Sequence, residues 1–124
     1  MKTLVNIKTN LWRSIVHYLY TNGWKVKEKY VAYDGSIDVD FIVLKKENET
    51  MYFGWDIIDL GEIKCSDSQY EKLVEITGKT FQIGEPKTLS IKSLVFIRLL
   101  SYPTRLHLKK EKLMEDFFYF ENDV

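Results

Sequence analysis

The 124-residue chain carries 18 Lys and Arg against 18 Asp and Glu, so its formal net charge is zero and no broad basic field favours nucleic acid through counterion release. A hydrophobic share of 45% and an aromatic share of 15% exclude a disordered tail or a fibrous repeat. The length suits one hydrophobic core, and a single domain spanning 1–124 is expected.

The N-terminus, MKTLVNIKTNLW, lacks the apolar run and small-residue cleavage site of a signal peptide, and no window holds eighteen apolar residues in a row. Cys65 is the only cysteine, which rules out an internal disulfide or a multi-cysteine zinc site. Together these predict a cytoplasmic protein with no membrane association. Asn48-Glu49-Thr50 is a sequon by chance in that setting.

Thr9 or Asn10 can cap a helix whose apolar residues Trp12, Ile15, Val16 and Leu19 recur at helical spacing, and Asn22-Gly23 ends it, giving a helix over 10–22. Trp24 and Val26 then alternate with Lys25 and Lys27, and the run continues through KYVAY to the turn pair Asp34-Gly35. Lys25, Lys27 and Lys29 read as solvated lysines of an edge strand, or as a local basic patch with Lys109, Lys110 and Lys112. A second strand, IDVDFIVLKK, follows, and ENET makes the next turn.

The third extended segment, Met51 to Cys65, is too long for an ordinary strand, and Gly54 and Gly61 imply a bulge or bend within it. Ser66 or Ser68 caps a second helix, with Ser68 and Glu71 spaced as a capping box; Tyr70, Leu73, Val74 and Ile76 supply its apolar face, and Gly78 closes it. KTFQI is a short strand. SLVFIRLL reads as a buried strand, SYPT as a turn, RLHL as a return strand, and 110–120 as a final helix. The expected fold is α+β, with a mixed central sheet, an αβββαβ-like core and a C-terminal helix.

The residues with chemical potential are Asp38 and Asp40 in the second strand and Glu62-Ile63-Lys64 in the third segment. Period-two geometry puts Asp38 and Asp40 on one face of their strand, and Glu62 and Lys64 on one face of theirs. A carboxylate pair from neighbouring strands can hold Mg²⁺, and a nearby lysine can orient the attacking water and stabilise phosphorane charge. A second acid-x-Lys tripeptide, Glu85-Pro86-Lys87, lacks the acidic strand before it and the capped helix after it.

This arrangement, with NGWKV entering the first strand, DVDFIVL as the acidic strand and GEIKCS ahead of a helix, resembles the PD-(D/E)XK nuclease superfamily over about residues 10–83. The resemblance implies a Mg²⁺-dependent nuclease cutting a DNA phosphodiester. Asp40 and Glu62 would be metal ligands, the Ile63 carbonyl would complete the metal shell, and Lys64 would assist the water. Gln69 and Tyr70 would stand where some relatives place Gln and Tyr. The chain departs from the pattern in having no acid on the first helix and no Pro before the first acid.

A second reading belongs to another class: a non-catalytic protein-binding factor of the immunity or anti-defence type, from a microbe or virus. Met114, Phe117, Phe118 and Phe120 crowd the last predicted helix; part of this cluster is expected to pack on the sheet, and the rest reads either as core packing or as contact with a protein partner or a homodimer. His17 and His107 have no metal-ligand spacing, and Cys65 is expected to be an inert, buried thiol.

Overall fold

The computed structural model describes residues 1–34, 37–58 and 60–90, and only the backbone of 30–34 and 37–38. The readings of 91–124, including the aromatic helix, the second lysine cluster and His107, lie outside the described residues, as does Gly35 of the expected Asp34-Gly35 turn pair. The elements are β1 (Lys2–Ile7), α1 (Thr9–Thr21), β2 (Lys25–Asp34), β3 (Ile37–Lys46), β4 (Glu49–Asp56), β5 (Leu60–Cys65), α2 (Asp67–Thr77) and β6 (Gln82–Ile83). The protein is α+β. Its six described strands run in the order β2-β3-β4-β5-β1-β6, and every pairing is antiparallel rather than mixed.

Two expectations change. The long third segment is a hairpin of two strands, because the chain turns at Ile57-Ile58 and Asp56 pairs with Leu60. Residues 2–7, not assigned from sequence, form a strand inserted between β5 and β6. Four strands therefore separate the two helices instead of three.

Both helices pack on one face of the sheet. Leu4, Trp12, Val16, Ile42, Leu44, Met51, Phe53, Ile63, Cys65 and Leu73 belong to the buried cluster there. A smaller cluster of Val39, Phe41, Val43 and Leu89, with Tyr52 against it, occupies the opposite face. Alternation explains the division, since odd residues of β3 around Phe41 face one way and Ile42 and Leu44 the other.

α2 begins at Ser66, whose hydroxyl accepts the Gln69 N–H at 3.2 Å while the Gln69 side chain accepts the Ser66 N–H at 2.8 Å. This capping box uses Ser66 and Gln69 in place of the expected Ser68 and Glu71. Gly78 ends the helix in the left-handed conformation, as expected. Gly61 serves packing instead. A Cβ there would stand 2.5 Å from Trp12 Cδ1, so its bare backbone lets the indole lie on β5.

Candidate functional site

The register decides which of the proposed site residues meet. Asp40 stands opposite Trp55, which stands opposite Gly61; Phe41 stands opposite Gly54, which stands opposite Glu62. Side chains directly across a pair share a face. Asp40 therefore lies on the helix-covered face, and Glu62 on the other.

Asp40 pairs there with Lys29, Nζ to Oδ1 at 3.3 Å, with the lysine side chain only 2% exposed and the aspartate 15%. Lys29 is thus no solvated edge lysine. The strand carries a bulge between Val26 and Glu28, and the extra residue reverses the phase of the alternation and turns Lys29 inward, opposite Ile42. Around this pair the Trp55 indole N–H donates to Thr9 Oγ1 at 2.9 Å, and the Arg13 guanidinium lies 5.9 Å from the Trp55 ring centroid.

Glu62 is 1% exposed. Its carboxylate accepts the Lys87 N–H at both oxygens, 3.1 and 3.0 Å, and the Leu89 N–H at 3.0 Å on Oε1. From the other side of the sheet the Trp12 indole N–H donates to the Glu62 carbonyl at 3.1 Å. Ionised acceptors take such N–H donors strongly, and three of these contacts occupy much of one carboxylate's capacity.

Asp56 shares this face, two residues beyond Gly54, and its Oδ2 accepts the Thr88 hydroxyl at 3.0 Å. Gly54 makes room for the same loop, since a Cβ there would stand 2.9 Å from the Leu89 side chain and 3.0 Å from Thr88 Cγ2. The loop 87–89 is thus laid over a glycine and gripped by two carboxylates. Asp56 was not among the residues singled out from sequence; the usable signal was Gly54 two residues before it.

Lys64 is on the Glu62 face, opposite Tyr52 and Thr3, while the Ile63 side chain is buried among the helix-face residues opposite Phe53 and Leu4. Glu62 and Lys64 are therefore together, and Asp40 is apart from both. No group of three His, Cys, Asp or Glu among the described residues could hold a metal ion. The residues implied as a Mg²⁺ shell do not fit one ion, because the sheet stands between Asp40 and Glu62.

Two further features complete the surface. An open groove of about 450 Å³ lies between the end of α1 and α2, with Leu19, Trp24, Met51 and Leu73 in its lining and Lys46, Glu47, Glu49 and Lys72 bringing both signs of charge. The Cys65 thiol is buried, and desolvation pushes its pKa up to about 11, partly opposed by Lys2, so it is protonated at neutral pH as expected of an inert cysteine. Lys2 bridges Asp67 at 3.0 Å, and this hydrogen-bonded partner raises the lysine pKa.

No helix of the described residues is long and apolar enough to cross a membrane. Comparison of the chain with family models, with curated proteins and with solved structures found no match.

Proposed function

We propose that this chain is a non-catalytic protein-binding domain. The observation that carries the reading is the use made of Glu62. Its buried carboxylate holds the backbone of Lys87 and Leu89, where a hydrolytic site would need it facing metal and substrate. Asp40 is likewise engaged by Lys29 across the sheet. Supporting a binding role, the β4–β5 turn presents Ile57 and Ile58 to solvent.

The rival, a Mg²⁺-dependent nuclease acting on DNA, makes opposite demands. Isothermal titration of the folded protein with Mn²⁺ and Mg²⁺, run with and without duplex DNA and followed by a cleavage assay, separates the two. The binding-domain reading expects no saturable uptake at millimolar metal and no cleavage. Metal-dependent cleavage abolished in both Asp40→Ala and Glu62→Ala, with their folds intact, would return the chain to the nucleases.

A further inference from the structure

The groove between the end of α1 and α2 combines apolar surface with an acidic rim. Among its lining residues, Leu19, Trp24, Met51 and Leu73 are 9% exposed or less, whereas Tyr18 is 43% exposed. Its volume of about 450 Å³ falls in the range of ligand sites.

The rim charges are not spent inside the fold. Glu47 and Glu49 enter the lining from the β3–β4 turn, and both are exposed. Among the described residues, neither carboxylate makes an ion pair or a side-chain hydrogen bond. Lys46, which pairs with Glu49 across the turn, gives its ammonium to the Asn22 carbonyl at 3.2 Å instead, where it offsets the negative end of the α1 dipole. Lys72 of α2 is the other cation of the lining, and the two unspent carboxylates outnumber it. Glu47 also holds a left-handed backbone, φ 55, at a turn position that ordinarily takes Asn or Gly. A charged side chain at a strained position beside a groove points to a use for that charge.

The charge selects the occupant. Acids beside an apolar groove repel phosphate, which argues against nucleic acid and an anionic membrane, and they complement a cation. The groove is open rather than enclosed, which suits side chains projecting from a segment of polypeptide. We infer that this groove docks a segment of a partner protein that carries large apolar side chains beside Lys or Arg, with the apolar groups over Trp24 and Met51 and the cation at Glu47 and Glu49. The inference rests on the binding-domain reading and adds the surface and the partner's chemistry to it.

The test pans a random peptide library, displayed on phage, against the immobilised full chain. A selected peptide is then synthesised and titrated against wild type, the double variant Glu47→Gln/Glu49→Gln, Tyr18→Ala and Lys72→Gln, with the Trp24 indole N–H followed by NMR. Selected peptides should place Lys or Arg beside Leu, Ile or Phe, and the wild-type Trp24 signal should shift on binding. The double variant should bind about fivefold more weakly and Tyr18→Ala about tenfold, with unchanged thermal melting. Lys72→Gln should bind as tightly as wild type or more so, and raising the salt should weaken wild-type binding. A library that yields no binder, selected peptides that are acidic, or a Trp24 signal that stays in place would overturn the inference. So would a dimer of the chain itself that the double variant dissolves, because the occupant would then be a second copy. A peptide bound equally by all the variants would remove the groove and leave the binding-domain reading standing, whereas metal-dependent cleavage by wild type would remove that reading itself.

Discussion

Glu62→Ala is the sharpest perturbation available, because the two functional readings give it opposite consequences. In this fold, removing the carboxylate leaves the Lys87 and Leu89 N–H groups facing a cavity on an almost fully buried site. Each orphaned buried donor costs about 1–3 kcal/mol, so the pair accounts for a loss of about 2–6 kcal/mol. That is a large part of the ordinary stability of a small domain, and it corresponds to a fall in Tm of roughly 10–20 °C for a chain of this size. Glu62→Gln is the informative companion. Its amide oxygen can still accept one donor, but its NH₂ would confront the Lys87 N–H, so an intermediate loss of about 2 kcal/mol is expected. Both values are read by urea denaturation and calorimetry, with unchanged m-values as the check on two-state behaviour. A catalytic carboxylate gathered with others for metal would behave in reverse, since its removal would leave Tm nearly unchanged or raise it. Equal melting of wild type and both variants would refute the anchoring role.

Further outcomes follow from neighbouring contacts. Asp40→Ala takes a carboxylate away from the buried Lys29 ammonium and should destabilise by about 2 kcal/mol, with Lys29→Met milder because it removes the charge along with its partner; paired denaturation curves check the order. Gly61→Ala forces a methyl into the Trp12 ring and should cost about 2 kcal/mol or more, seen as a lower Tm together with altered near-ultraviolet circular dichroism of the indole. Burial raises the Cys65 pKa from 9.0 to about 11, so the folded state keeps a proton that the unfolded chain releases. Its contribution is complete below pH 9.0 and is lost as pH rises towards 11, at up to about 1.4 kcal/mol per pH unit. Wild type should therefore lose more stability over that interval than Cys65→Val, and its thiol should react with a disulfide reagent at about pH 8 only on unfolding.

Local signals in the sequence were sufficient where structure is made locally. The strand 37–46 lies where its alternation and flanking turns put it, and the first helix agrees with its apolar spacing to within a residue at each end. β1 escaped notice for a physical reason. Thr3, Leu4 and Val5 are buried in succession between β5 and β6, so the strand has no two-residue polarity pattern to read. Lys29 was misread because one bulge residue reversed the phase of an apparently regular alternation.

The candidate site failed at the same kind of boundary. Alternation correctly put Glu62 and Lys64 on one face of their strand, but it says nothing about which face of β3 shares that side. That relation passes through β4, whose separation from β5 depends on the turn after Asp56, and it brings Phe41 rather than Asp40 into line with Glu62. The partners Glu62 does have, Lys87 and Leu89, are 25 and 27 residues away and contribute backbone N–H groups, which no side-chain motif records.

The most direct test of the anchoring account is amide hydrogen exchange at Lys87 and Leu89 by NMR, in wild type and Glu62→Gln. The account predicts that both amides exchange slowly in wild type, and that the substitution lowers their protection well beyond that of the central strand residues Phe53 and Ile63. Free exchange of both amides in wild type, with Glu62 available to bind Mn²⁺, would contradict it.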